Sequence, residues 1–162
     1  MSSDEKKRLR KHAYHEAGHA VMARLLNLPV DHVYMNNTSG GVYYSDETVK
    51  HINEALATGT RLGEWIIPHI LVLTAGKTAE NIFSIQNRRS RSAEGDDQQI
   101  LKFHARLSEC SSLPVIGIAD FFTLAYEMLD RRDNRGRIKK VAHALFTHRK
   151  LSGTDLEKIY SS

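Results

Sequence analysis

The chain has 162 residues, of which 23 are Lys or Arg and 19 Asp or Glu, so the formal net charge is 23 − 19 = +4. With 41% hydrophobic and 26% charged residues it reads as one ordinary globular domain over residues 1–162, which excludes a disordered chain, a fibrous repeat and two independent cores. The single cysteine, Cys110, excludes an internal disulfide framework and a cysteine-based zinc site, and points to a reducing, cytoplasmic setting.

Taken in chain order, residues 5–28 predict a helix. Leu9, Ala13, Ala17, Val21, Leu25 and Leu28 recur at three- and four-residue intervals, and Pro29 follows. Residues 30–35 alternate apolar and polar, as a half-buried strand does. Residues 36–41 carry turn chemistry and Val42-Tyr43-Tyr44 is β-prone, so a small hairpin is expected. A short helix over 48–56 follows. Residues 62–85 are apolar and too long for one strand, so they read as a buried helix with Pro68 in its early part. Its most apolar stretch, 65–76, is interrupted by Pro68 and His69 and falls short of the roughly 20 apolar residues a membrane span needs. The first eleven residues have charges with no apolar core behind them, so no signal peptide is expected. Residues 86–92 read as a polar loop, and a new helix is expected from Asp96 with Ile100, Phe103 and Leu107 on one face. Two more helices are marked by Ile118, Phe121, Phe122, Ala125, Met128 and Leu129, and by Ile138, Val141, Ala142, Leu145 and Phe146. Thr154-Asp155-Leu156-Glu157 has the pattern of a capping box for a last short helix. The expected fold is therefore mainly α, with a β-hairpin after the first helix.

That first helix contains His15-Glu16-Ala17-Gly18-His19, an HExxH pattern. Residues i and i+4 differ by about 40° around a helix, so the two imidazoles share a face and can share one Zn²⁺. Glu16 lies one position round, poorly placed as a ligand but able to take a proton from a water on the metal. This is the division of labour of a metallopeptidase. The bland alternative is a helix with two solvated or capping histidines. Two features weigh against it: the surrounding helix is apolar, and Gly18 sits mid-helix at a cost of roughly 1 kcal/mol against alanine. That cost makes sense where another backbone or a substrate approaches closely. His12, three residues earlier, reads as a surface histidine.

The run Ala13-Tyr14-His15-Glu16-Ala17-Gly18-His19-Ala20-Val21 resembles the active-site helix of the FtsH-like zinc metallopeptidases, peptidase family M41. Val30-Asp31-His32-Val33 with Gly40-Gly41-Val42 is similar to that family's short β segment. Residues 74–83 (TAGKTAENIF) resemble its AGRAAEEI-like helix, and residues 138–160 its closing helices. The likeness spans nearly the whole chain and is strongest over 13–21 and 74–83. It implies a helical metallopeptidase domain holding Zn²⁺ through His15, His19 and an aspartate that opens a later helix, with Glu16 as general base. Matching Gln98-Gln99 to the family pattern without a gap places that aspartate at Asp96; a one-residue shift would choose Asp97 and misplace the apolar face of Ile100, Phe103 and Leu107. Glu80 matches a family glutamate, and both a role orienting a ligand histidine and a plain ion pair remain open for it.

The resemblance also implies a zinc-dependent endopeptidase acting on unfolded polypeptide, with a separate ATPase or unfoldase as a partner to consider. The family's better-known members carry an ATPase module and membrane helices ahead of the peptidase domain, and neither is expected here. Gly76-Lys77-Thr78 looks superficially like a phosphate loop, but Leu71 stands where its first glycine belongs. The stretch between Leu107 and Asp120 is shorter than the family's. Two rival readings come from other classes. One is a metal-binding interaction domain without proteolysis, against which the intact His15-Glu16-His19 counts. The other is a basic helical nucleic-acid-binding domain, drawn from Arg88-Arg89-Ser90-Arg91 and the basic run 131–140; the 7% aromatic content, the lack of a recognition motif and the interruptions at Asp130 and Asp133 count against it. No nucleic-acid or membrane partner is expected.

Overall fold

The computed structural model describes residues 1–83, 91–110 and 116–162. Helix α1 (Ser3–Leu25) starts where the Ser2 side chain accepts the Glu5 backbone N–H at 3.2 Å, with Asp4 and Glu5 in its positive first turn. It ends at Leu25, three residues before the expected boundary. Asn27 takes the left-handed conformation (φ 56°), its N–H bonds Arg24 O and that of Leu28 bonds Ala23 O. This pair is a Schellman motif, so Leu28 is buried past the helix end rather than within it.

Strand β1 (Val30–Met35) pairs antiparallel with β2 (Gly40–Tyr44), Val33 opposite Val42 and Tyr34 opposite Gly41. Between them the Asn36 carboxamide oxygen accepts the N–H groups of Thr38 and Ser39, both at 2.8 Å, an Asx-type turn. The hairpin gains a third strand, β3 (Lys150–Ser152), on the far side of β1, giving the order β2-β1-β3. Three residues with only Leu151 buried carry too little alternation to be read as a strand from sequence alone.

Helix α2 (Asp46–Thr58) is capped by Ser45 and closed by Gly59 at φ 67°, two residues longer at each end than expected. Helix α3 (Leu62–Ile82) holds Pro68 and runs unbroken through Gly76-Lys77-Thr78, where the Thr78 hydroxyl donates to Thr74 O. That segment is helix, not a loop. The last residues of the expected helix, Ser84 and Ile85, lie outside the described residues.

Helix α4 (Arg91–Cys110) corrects the expected start at Asp96. Arg91 and Ser92, read as loop, are helical; the rest of that loop lies outside the described residues. Residues 91–95 have no apolar periodicity, so nothing in the sequence announced the first turn. Asp96 consequently sits in the second turn of α4, beyond the N-terminal N–H groups that a capping residue serves. Helices α5 (Ile118–Leu129), α6 (Arg132–His148) and α7 (Gly153–Tyr160) follow. The final capping box is Ser152 with Asp155, not Thr154 with Glu157: Ser152 Oγ accepts the Asp155 N–H (3.1 Å) and Asp155 Oδ2 accepts the Ser152 N–H (2.9 Å). Because Ser152 still belongs to β3, the helix starts two residues early. Among the described residues no helix is long and apolar enough to cross a membrane.

The molecule is thus mainly helical with a small three-stranded sheet. Helix α1 lies at its centre, packed on α3 and α6, with Ala13, Ala17, Ala20, Val21 and Met22 buried. Gly18 explains itself here. A Cβ added to it would stand 2.5 Å from Ala75 O and 2.6 Å from Ala79 Cβ, so α3's backbone takes the space. Gly18→Ala should therefore destabilise the fold by about 1–3 kcal/mol, the cost of overpacking, despite alanine's helix preference of roughly 1 kcal/mol. Urea denaturation gives the sign directly; a more stable variant would show that the two helices separate freely.

Candidate metal centre

Three side chains from two helices meet at one point. His15 and His19, one turn apart on α1, face the same way with rings at 85°. Their Nε2 atoms are 3.1 Å apart, and Asp96 Oδ2 reaches in from α4 to 2.8 Å from His15 Nε2 and 2.9 Å from His19 Nε2.

The far sides of both rings are committed. His15 Nδ1–H donates to Glu80 Oε1 at 2.6 Å, and the other Glu80 oxygen pairs with Lys11 Nζ at 3.3 Å. His19 Nδ1–H donates to the Val72 carbonyl at 2.6 Å. In the neutral rings this leaves a lone pair on each Nε2. Two lone pairs and a carboxylate oxygen then converge in a buried spot, an arrangement that a shared cation relieves. His15, His19 and Asp96 form a group that could hold a metal ion. Their donor set suits one: two imidazoles with fixed tautomers and one carboxylate leave further coordination positions open.

Gly76 of α3 makes the convergence possible. A Cβ there would lie 2.6 Å from Nε2 of both histidines, so any side chain would fill the space between them. His69, Val72, Gly76 and Glu80 follow at i, i+3, i+7 and i+11 and form one stripe of α3 facing α1. That spacing is the signal that could have brought Glu80 and His69 into the site from the sequence. His69 Nδ1 lies 2.9 Å from the Tyr44 hydroxyl of β2, and its ring meets Phe103 of α4 edge-on at 4.6 Å. Burial, with help from the charge of His19, pushes His69 down to about 4, so it is neutral near pH 7.

Glu16 is 1% exposed. Its Oε1 lies 3.2 Å from His12 Nε2, while Oε2 is buried and has no partner among the described residues. An orphaned buried carboxylate oxygen is costly unless something polar meets it, and a water or substrate group beside the three ligand atoms would do so. His12 corrects the sequence reading: it is 8% exposed and belongs to the surroundings of Glu16, not to the surface. Asp97, the alternative to Asp96, is not among the residues brought together.

With protons as the only cations, the cluster holds them tightly. Burial opposes charge on His15, but the hydrogen bonds to Asp96 and Glu80 outweigh it and hold the imidazole up at about 10. His19 is buried too, and Asp96 again raises it. Burial of Asp96 is overcome by the two histidines, which hold its carboxyl well below the usual carboxylate range. Two expectations follow for the metal-free protein. The contribution of His15 to stability is fully present below its unfolded value of 6.5 and fades as pH rises towards about 10, and that of His19, also raised, is lost in the same direction. That of Asp96 is present above 3.8 and is lost as pH falls. These groups therefore favour the metal-free fold most between those two values. A bound metal must expel these protons, so affinity should rise with pH across the neutral range. Calorimetric titration with Zn²⁺ in buffers of different ionisation enthalpy checks this; an affinity independent of pH would refute it.

A scan against protein-family models and a search of curated proteins return no match to this chain.

Proposed function

We propose that this chain is a zinc-dependent endopeptidase of the FtsH-like kind. The observation that carries the reading is the meeting of His15 Nε2 and His19 Nε2 of α1 with Asp96 Oδ2 of α4, beside the α1 residue Glu16, whose buried Oε2 has no partner among the described residues. His15, His19 and Asp96 would hold Zn²⁺, which when bound would act as a Lewis acid towards the scissile carbonyl and a water. Glu16 Oε2 takes the proton from the attacking water and passes it to the leaving amine, ending unprotonated as it began. Glu80 and the Val72 carbonyl hold the two imidazoles in the tautomer that presents Nε2.

Strand β2 supports a polypeptide substrate. It is one of the sheet's two edge strands, and its first residue, Gly40, lies against Glu16: a Cβ there would stand 2.9 Å from Oε1. An extended chain adding to that edge would run past the base. A folded protein cannot supply such a strand, so the substrates are segments already unfolded, or delivered by a separate unfoldase.

The basic helix α6 gives little support to a nucleic-acid-binding reading. Arg135 pairs with Asp130 at 3.2 Å, and Arg135 and Lys139 both lie over the Phe83 ring.

Metal analysis with a cleavage assay tests the proposal. The purified wild type should hold about one zinc per chain and digest casein, and His15→Ala should lose both. A zinc-loaded wild type that leaves unfolded substrates intact would refute the peptidase reading, and no metal after zinc loading would refute the site.

A further inference from the structure

Helix α1 carries two interleaved i, i+4 pairs. His15 and His19 are one; His12 and Glu16 are the other, offset from the first by about 60° around the helix. The second pair has its own construction. His12 Nε2 lies 3.2 Å from Glu16 Oε1, and because an ionised carboxylate can only accept, this contact is attractive with the hydrogen on Nε2. Gly40 of β2 closes the pair from outside: a Cβ there would stand 2.7 Å from His12 Nε2 and 2.9 Å from Glu16 Oε1. One carboxylate oxygen thus lies between a buried imidazole and a glycine backbone, while Oε2 is buried without a partner among the described residues.

We propose that His12 is a positioning residue that fixes the rotation of the Glu16 carboxylate, so that Oε2 alone is presented to the reacting groups. The inference rests on the peptidase reading and deepens it. A carboxylate free to turn about its last bond offers either oxygen at a range of angles, and its hydrogen bonds are lost and remade in each cycle. Held through Oε1, it keeps one geometry throughout. The His12 contact survives proton transfer, because a carboxyl protonated on Oε2 still accepts at Oε1. His12 itself neither gains nor loses a proton: the proton leaves water for Oε2 and goes on to the amine. Glutamine can supply a comparable N–H donor four residues before Glu16; phenylalanine fills the buried space without one.

Two measurements on the full chain test this. In zinc-loaded protein with a fluorogenic peptide, His12→Phe should lower kcat roughly 10–100-fold, a part of what a whole acid–base group contributes, with KM and zinc content unchanged. His12→Gln should recover most of the loss. Independently of activity, long-range ¹H–¹⁵N spectra of the imidazoles should show His12 as the Nε2–H tautomer, and Glu16→Ala should shift that nitrogen. An active wild type matched by His12→Phe would overturn the clamp and leave the peptidase reading standing. So would equal losses in both variants, or a His12 Nε2 without its hydrogen. A wild type that cleaves nothing would overturn the peptidase reading and this inference together.

Discussion

Glu16→Gln should leave zinc bound and the fold intact while peptide cleavage falls by roughly 10²–10⁴-fold, the usual worth of a positioned acid–base group. Each part of that expectation has its own cause. Glutamine keeps the length of glutamate and has similar helix propensity, so α1 is not disturbed. Its carboxamide oxygen can still accept from His12, which preserves the buried contact at Oε1. The change is confined to the other position. Where glutamate presents an unpartnered oxygen able to take a proton, glutamine presents an NH₂ group that cannot. Zinc stays because Glu16 is outside the His15–His19–Asp96 group. Metal analysis and cleavage of an unfolded substrate on the same preparation decide the matter. Unchanged cleavage would move the base elsewhere; loss of zinc along with activity would make Glu16 part of the metal's support.

A graded series around the His15–His19–Asp96 group should follow the geometry rather than the charge. Asp97→Ala removes a carboxylate one residue from Asp96, about 100° round α4, and should change zinc affinity little. Glu80→Ala removes the acceptor of the His15 Nδ1–H and should weaken binding roughly 10–100-fold, as loss of a ligand's hydrogen-bond partner does. Asp96→Ala removes a proposed ligand and should exceed that. Gly76→Ala touches no charge at all, yet its methyl would stand 2.6 Å from both Nε2 atoms and should also abolish tight binding by spreading the histidines. Competition titration against a chromogenic zinc chelator ranks all four. If Asp97→Ala proved the more damaging aspartate variant, α4 would have to sit one residue out of its register here.

His15, Glu16 and His19 could be located from sequence because their relation is local. Helical pitch alone puts residues i and i+4 on one face, and the apolar positions around them show that the face is inward. The mainly helical class and the β1–β2 hairpin were legible on the same ground, since periods of 3.6 and 2 are written in neighbouring residues. Asp96 has no such relation to the histidines. It is 81 residues from His15 and was reached through a family resemblance, and only the packing of α4 places its carboxylate against them. The identity of the group that approaches Gly18 was undecided in sequence, where another backbone and a substrate both stood as readings; α3 occupies the space with Ala75 and Ala79. His12 read as surface because the resemblance gave it no ligand role, and it is buried because Gly40 of β2 lies against its Nε2. Propensity and period report on one element at a time. Which elements meet, and which oxygen of a carboxylate is left unpaired, depends on contacts between residues far apart in the chain, and those are decided only when the helices pack.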